Sequence, residues 1–422
     1  MPHRSPKPAA AAAVNGNDGS ILADLRTEAS RLGFSRLGVA PADPARRPPF
    51  VHEGFKRWLN TGFAGAMEPW LREHEPLRRD VRQLLDGTRS VIMLATDHAT
   101  RPADDSDGPV PEGGPGRGRV ARYAWGGDYH DLLRSRVNEL AAWLERRLPD
   151  CHTRGFVDSA PFPEREYGWL AGLGWIGKNT LLIAPEAGSF FFLTVLLTTA
   201  ELQAEVPLEV DHCGTCTACL DACPTQAFVE PRMLDASRCV STLTIEDHGP
   251  ITADLRAGLG DWLFGCDICQ EVCPWNRHAP GSSAAELQPR EGTSLPLADL
   301  LALDEAGFRG RFRGTPLWRA KRRGLLRSAT IVLGNRPDAA SAEALLAALA
   351  DADEVVRGAA AWAVGRWIDA GVLAVRCRAA LEARRPLEQD RDVRREIDQA
   401  LSAQSAVSST SAEGSRPGPS TA

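Results

Sequence analysis

Apolar stripes and apolar runs take turns along the first half of the chain, and that texture changes twice further on. From Ile21, the segment I-L-A-D-L-R-T-E-A-S-R-L-G-F spaces its apolar residues three and four apart and stops at Gly33, which predicts an amphipathic helix. Ser35 to Ala40 reads as a strand. Ser90-Val-Ile-Met-Leu-Ala95, after the turn Asp86-Gly87, reads as a second. Helices are expected from Tyr129 to Leu148 and from Glu164 to Leu173. Between them lies a short strand, Gly155-Phe-Val-Asp158, ending in a carboxylate. Ser189 to Thr198 (S-F-F-F-L-T-V-L-L-T) is a strongly apolar strand. Residues 101–118, rich in Gly, Pro and Asp, read as a surface loop. Helices and strands mixed in this way predict an N-terminal α/β domain over residues 20–199.

Residues 200–285 lose this periodicity and hold most of the cysteines. Over residues 286–401 short Ala/Leu helices take over. Gly324-Leu-Leu-Arg-Ser-Ala-Thr-Ile-Val-Leu-Gly334 is echoed by Val355-Val-Arg-Gly-Ala-Ala-Ala-Trp-Ala-Val-Gly365, with the final glycines 31 residues apart. The echo predicts a helical-repeat module of the HEAT type. Two units are few for a free-standing solenoid, so this module is expected to lean on the rest of the protein. The tails, residues 1–19 (Ala/Pro-rich) and 402–422 (Ser/Thr/Gly/Pro-rich), read as disordered. The expected class is therefore mixed α+β: an α/β domain, a cysteine-rich domain and a C-terminal α-helical domain.

The cysteine-rich stretch carries the most specific chemistry. Eight of the ten cysteines lie between Cys213 and Cys273, first as C-G-T-C-T-A-C-L-D-A-C-P, then as C-D-I-C-Q-E-V-C-P. The first run has the C-x2-C-x2-C-x3-C-P spacing of two-cluster bacterial ferredoxins, in which the cysteine before proline serves the other cluster. The second run lacks its first cysteine, and Cys239 is the substitute. One 4Fe-4S cluster is thus assigned to Cys213, Cys216, Cys219 and Cys273, and the other to Cys223, Cys239, Cys266 and Cys269. A disulfide framework does not suit a chain of this size without an export signal. Zinc favours separated C-x2-C pairs without crossed C-P ends. Cys151 and Cys377 fit no ligand spacing and read as small buried hydrophobes.

A net charge of −6 over 422 residues excludes a uniformly basic nucleic-acid coat but not a local patch. Such a patch exists. From Gly307 to Pro337 the basic residues are Arg309, Arg311, Arg313, Arg319, Lys321, Arg322, Arg323, Arg327 and Arg336, with no acid among them and with Phe308, Phe312 and Trp318 interleaved. This is the footprint expected for a phosphate backbone. The plainer alternative is a solvated face paired with acids from elsewhere. No run approaches the ~18 apolar residues of a membrane span. The N-terminus lacks the apolar core of a secretory signal and a twin arginine. Thiolate chemistry without export points to the cytoplasm.

Three shorter stretches are candidates. Arg122-Tyr-Ala-Trp-Gly-Gly-Asp-Tyr-His130 could wall a flat cofactor or base, or be a core turn before a helix. Gly174-Trp-Ile-Gly-Lys178-Asn resembles a phosphate-gripping loop without Walker spacing. Asp158 stands where a general acid often stands, although on the residues alone an N-cap for the next helix is the plainer role.

Together these segments resemble the epoxyqueuosine reductase family, cobalamin-dependent iron-sulfur enzymes that complete queuosine in tRNA. The resemblance runs from about Ile21 to Asn335 and continues into the helical repeats. It rests on R-Y-A-W-G-x-D-Y-H at 122–130, V-D-S-A at 157–160, G-W-I-G-K-N-T at 174–180, the cysteine array, L-T-I-E at 243–246, C-P-W-N at 273–276 and R-A-K-R-R-G-L-L-R at 319–327. It implies cobalamin bound base-off between the α/β domain and the clusters, with electrons delivered through the clusters from an external low-potential reductant. It implies Asp158 as proton donor, Arg82 near the cobalamin, and Arg122, Ser241, His248 and Asp267 near the corrin. It implies an anticodon stem-loop carrying epoxyqueuosine as substrate, held by the basic block and helical repeats, with Lys178, Arg319, Lys321, Arg322, Arg323 and Arg327 as contacts, and a monomer. The stretch Asp128-Tyr-His130-Asp-Leu-Leu133 lacks the glycine of D-x-H-x-x-G, so no lower histidine ligand is expected. Val240-Ser-Thr lacks the aromatic that the family often carries before L-T-I-E, which leaves a corrin contact at Thr242 open. Other readings are a reductive dehalogenase, which usually carries a twin-arginine signal and no basic helical tail, an RNA-binding ferredoxin-like carrier without catalysis, and an RNA-binding scaffold with structural clusters.

Overall fold

The structure, a computed structural model, describes residues 18–98, 113–208, 210–282 and 284–402. Nearly all of both expected tails, and most of the loop over 101–118, lie outside the described residues.

Four strands form the main sheet. In spatial order they are Arg36–Pro41, Ser90–Asp97, Phe191–Thr198 and Thr153–Phe156, and every neighbouring pair is antiparallel. Helices cover both faces. Ile92, Leu94 and Leu196 pack against the helices Asp18–Arg31 and Tyr129–Arg147. Their sequence neighbours Val91, Met93, Val195 and Leu197 face the other side, where the helix Glu164–Leu170 and Val81 close the layer. Burial on both faces is the reason these strands read as unbroken apolar runs. The α/β expectation for residues 20–199 is corrected to α+β. Alternating helices and strands in sequence do not reveal strand direction, and here each strand returns antiparallel to its neighbour.

A second sheet holds the molecule together. Its middle strand is Arg117–Val120, paired in parallel with Trp262–Phe264 and antiparallel with Ser294–Pro296. The three strands come from the three regions that the sequence separates. The strand also begins inside the expected loop over 101–118. R-G-R-V carries no alternation, so partners on both sides, not pattern, make it a strand.

The C-terminal helices stack in order. Lys321–Asn335 packs on Glu354–Asp369, which packs on Ala374–Arg384 and Arg391–Ser402. The echoed glycines sit at two crossings. A Cβ on Gly334 would lie 2.5 Å from the Trp362 ring, and one on Gly365 would lie 2.7 Å from the Ala400 Cβ. The core of this stack, including Leu326, Val332, Val364 and Trp367, continues into Val120, Trp125 and Phe264. The helical region therefore does lean on the rest of the protein.

Candidate functional site

The two cysteine loops each run into a one-turn helix, Ala218–Asp221 and Ile268–Glu271. Their thiols sort by mutual electrostatics. Cys219 feels Cys273, Cys213 and Cys216, and Cys273 feels Cys213 and Cys216. Cys266 feels Cys239 and Cys223, and Cys269 feels Cys266 and Cys239. Cys269 also feels Cys219, so the two groups adjoin. Cys213, Cys216, Cys219 and Cys273 line one recess together with Lys178, Asn179, His212 and Trp275. Burial pushes the Cys239, Cys266 and Cys269 thiols up, while the Thr242 and Ser241 amides oppose the rise at Cys239 and the Ile268 amide at Cys266. Such thiols give up protons when a cationic centre binds, and amides aimed at sulfur suit iron-sulfur ligands. All ten cysteines are free; Cys151 and Cys377 are buried away from the array. Among the described residues no three His, Cys, Asp or Glu side chains converge as single-ion ligands. Four thiols around one recess, with the other four grouped next to them, instead suit clusters.

Asp158 lies two residues beyond its strand at φ +46, in the left-handed region that costs energy for any residue with a Cβ. It caps no helix: Pro163 precedes the helix Glu164–Leu170, and no side chain caps that end. Instead the Tyr129 hydroxyl donates to Asp158 Oδ2 at 2.7 Å. His130 Nε2 stands 3.9 Å from the same oxygen, and its Nδ1 meets Asp128 Oδ1 at 2.7 Å. Burial, then the charge of Asp158, pushes the Tyr129 phenol well up, so it remains a donor. Its ring is stacked between His130 and Phe192, both with centroids 4.1 Å away. Glu164 opens the next helix, and burial followed by the Asp158 charge pushes its carboxyl up to about 8. In sequence, Asp128, Tyr129 and His130 belong to the candidate 122–130 stretch, but nothing there gives any of them a part beside Asp158, and Glu164 reads only as the start of a helix.

Of the remaining cofactor candidates, Arg122 and Asp267 meet. The Arg122 amide donates to Asp267 Oδ2 at 2.7 Å, and burial pushes this carboxyl up to about 6. Burial, then the charges of Asp158, Glu246 and Asp267, push the Tyr123 phenol well up, with Arg319 opposing. His248 Nε2 contacts the Arg319 carbonyl at 3.0 Å, and Ser241 lies in the helix Val240–Ile245. Trp125 and Ala124 are core residues, so the 122–130 stretch is partly the core turn its composition allowed. Among the described residues, Arg82 is not brought in with these by any hydrogen bond or ion pair. It pairs with Asp80 at 2.8 Å and lies 3.8 Å from Asp43.

The basic block departs furthest from expectation. Arg327 is fully buried and donates to the carbonyls of Leu243, Asp247 and Gly249, so it is a core strut and not a phosphate contact. Arg322 is largely buried on Asp351 at 2.5 Å, which removes it in the same way. Arg311 pairs with Glu291, Arg319 with Glu246, Arg323 with Asp353 and Glu354, and Arg336 with Asp261. The counter-charges come from other segments, which a block free of acids in sequence cannot show. Arg309 and Arg313 border an open groove with Glu305, and the Lys321 ammonium sits 5.3 Å over the Trp318 ring. Lys178, expected on a phosphate, instead donates from Nζ to the carbonyls of Gly214 and Cys216 at 2.7 and 2.8 Å. G-W-I-G-K-N is the turn of a small hairpin, Trp175–Ile176 paired with Leu182–Ile183, laid against the cysteine loops.

Similarity to known proteins agrees with this arrangement. The family described as "Epoxyqueuosine reductase QueG, DUF1730" matches residues 78–159, and the "4Fe-4S double cluster binding domain" matches residues 212–276. An epoxyqueuosine reductase of Pseudomonas aeruginosa is 41% identical over 338 residues, covering 79% of this chain and 91% of its own length. The chain belongs to the epoxyqueuosine reductase family. That makes it an oxidoreductase and sets aside the non-catalytic carrier and scaffold readings. The family relative of Escherichia coli is 39% identical over 72% of this chain and 79% of its own. A solved epoxyqueuosine reductase superposes with a TM-score of 0.82 at 30% identity, covering 91% of this chain and 99% of that one. Another, solved with an epoxyqueuosine-modified tRNA-Tyr stem loop, superposes at 0.81 with the same identity and coverage. No described helix is long and apolar enough to cross a membrane.

Proposed function

We propose that this chain reduces epoxyqueuosine to queuosine at the wobble position of tRNA, with Asp158 as the acid. The observation that carries the reading is the placement of Asp158. A carboxyl outside any cap, held by Tyr129 and facing His130, shares the Tyr123 neighbourhood with Asp267, which lies between two cysteines of the second set.

Removing the epoxide oxygen to leave an alkene takes two electrons and two protons, and the oxygen leaves as water. When bound, cobalamin would supply a strongly reducing cobalt, and two clusters held by the eight cysteines would supply electrons one at a time. Arg122, Ser241, His248 and Asp267 are the residues that would hold the corrin; of these, Asp267 stands between Cys266 and Cys269 in sequence and accepts from the Arg122 amide at 2.7 Å. Arg82, which would join them, is paired with Asp80 at 2.8 Å.

Asp158 gives its proton to the departing oxygen. Tyr129 fixes one carboxyl oxygen and leaves the other, since 68% of the side chain is exposed, open to substrate. His130, oriented by Asp128, stands 3.9 Å from Asp158 and is placed to relay the proton for the second transfer. The stem-loop is held by Arg309, Arg313 and Lys321, with Arg319 and Arg323 reachable by exchanging surface ion pairs for phosphates. The helical stack behind them is the HEAT-like platform of the tRNA-binding region, residues 286–401.

The test is anaerobic reconstitution of the full chain with iron, sulfide and cobalamin, then incubation with epoxyqueuosine stem-loop RNA under a low-potential reductant. Loss of one oxygen from the base by mass, dependent on cobalamin, is expected. Bound clusters and bound RNA with no deoxygenation would overturn the reading.

A further inference from the structure

The hairpin turn Gly177–Leu181 touches both cysteine loops at once. It is tightly made: the Gly177 amide donates to the Leu181 carbonyl at 2.8 Å, and the Thr180 amide to the Gly177 carbonyl at 2.9 Å. It is anchored from outside by Arg165 on the Thr180 carbonyl at 2.8 Å and by the Arg232 amide on the Lys178 carbonyl at 2.9 Å. From this support Lys178 reaches the Gly214 and Cys216 carbonyls of the first loop. Its neighbour Asn179, 3% exposed, donates to the Cys269 carbonyl of the second loop at 3.3 Å. Both residues line the recess that Cys213, Cys216, Cys219 and Cys273 share.

The two sets differ in the charge set against them. Lys178 has these two carbonyls as its hydrogen-bond partners among the described residues, so its positive charge at the first set has no carboxylate on it; the Asp211 carboxylate on the Cys213 amide at 2.9 Å is matched instead by Arg232 at 2.7 Å. Beside the second set, Arg119 lies on Glu271 at 2.9 Å, Arg122 is 3.8 Å from the same carboxylate, and Asp267 adds a further acid. Reducing a cluster adds one negative charge. A fixed cation a few ångströms away favours the reduced form, and a cation neutralised by a carboxylate does so much less.

We propose that Lys178 is a positioning residue of the iron-sulfur relay. It raises the reduction potential of the Cys213/Cys216/Cys219/Cys273 cluster above that of its partner, while Asn179 ties the second loop to the same turn and fixes the spacing between the two. The raised cluster, whose Cys216 is exposed, is the one that an external one-electron donor reduces first. The inference rests on the two-cluster reading and removes Lys178 from the RNA surface.

The test uses the reconstituted full chain, with iron and sulfide measured first and EPR-monitored redox titration second. Wild type that loads fewer than two clusters overturns the parent reading, and the iron content shows this before any titration. With both clusters loaded, Lys178→Gln, which keeps a donor but loses the charge, is expected to move one midpoint to more negative potential and leave the other in place. Lys178→Arg is expected to stay near wild type. Loss of one cluster's iron in Lys178→Gln with full loading in Lys178→Arg also supports the hold of the turn on the first loop. Unchanged midpoints in fully loaded Lys178→Gln overturn the proposal. So does a fall in stem-loop affinity with a shallower salt slope, which marks a phosphate contact.

Discussion

Asp158 combines left-handed backbone, an exposed carboxyl and one short hydrogen bond from Tyr129, and each feature has a consequence that can be measured. Asp158→Asn keeps the shape and removes the acid, so deoxygenation read by mass should fall about 100- to 10,000-fold with cluster loading unchanged. A pH-rate profile in this variant identical to that of wild type would remove Asp158 from the proton inventory. Glu164 makes a separate point about stability. Its carboxyl ordinarily titrates near 4.5, but burial and the Asp158 charge push it up to about 8 in the fold. Between these values the unfolded chain has lost the proton and the folded one keeps it, so this group draws stability down as pH rises from 4.5 to 8. Glu164→Gln should therefore melt higher than wild type at pH 8 and alike at pH 4; a constant difference across that range would contradict the shift. Arg327 is the third case. Replacing it with Met leaves three buried carbonyls without their donor and should cost about 3 kcal/mol or more in urea unfolding, with stem-loop affinity of the folded protein unchanged.

At the level of elements, apolar runs and helical stripes located the strands and helices well, usually within a few residues of their ends. The runs over Ser90–Asp97 and Phe191–Thr198 were legible because both of their faces are buried. Arg117–Val120 was not, since a strand made by its neighbours carries no pattern of its own. Strand direction was invisible too, hence the change from α/β to α+β. The echoed glycines carried real information: they mark where the next helix crosses closely. Gly365→Val should overpack the contact with Ala400 and cost about 1–3 kcal/mol by denaturant unfolding, with cluster content retained.

At the scale of the whole molecule, charge in sequence and charge in space part company. The segment from Gly307 to Pro337 holds nine basic residues and no acid, yet most of them are neutralised or buried by partners far along the chain. Arg309, Arg313 and Lys321 are what remains for phosphates. The double variant Arg309→Ala/Arg313→Ala should weaken stem-loop binding at low salt. It should also flatten the plot of log affinity against log salt by about 0.7–0.9 per lost phosphate contact. An unchanged slope would place the RNA elsewhere.

The sequence by itself determined the iron-sulfur chemistry and the family. Ligand spacing within a loop is a local property, and the crossed C-P ends carried the expectation of which thiol serves which cube. Burial patterns on single elements were local in the same sense. Only the tertiary structure decided which charges stay available and what Asp158, Lys178 and Arg327 touch. The partners of Asp158 and Lys178 lie 29 to 38 residues away, and those of Arg327 lie 78 to 84 away. An ion pair or a hydrogen bond across such a gap depends on how separate elements pack, and that leaves no period or spacing in the chain to read.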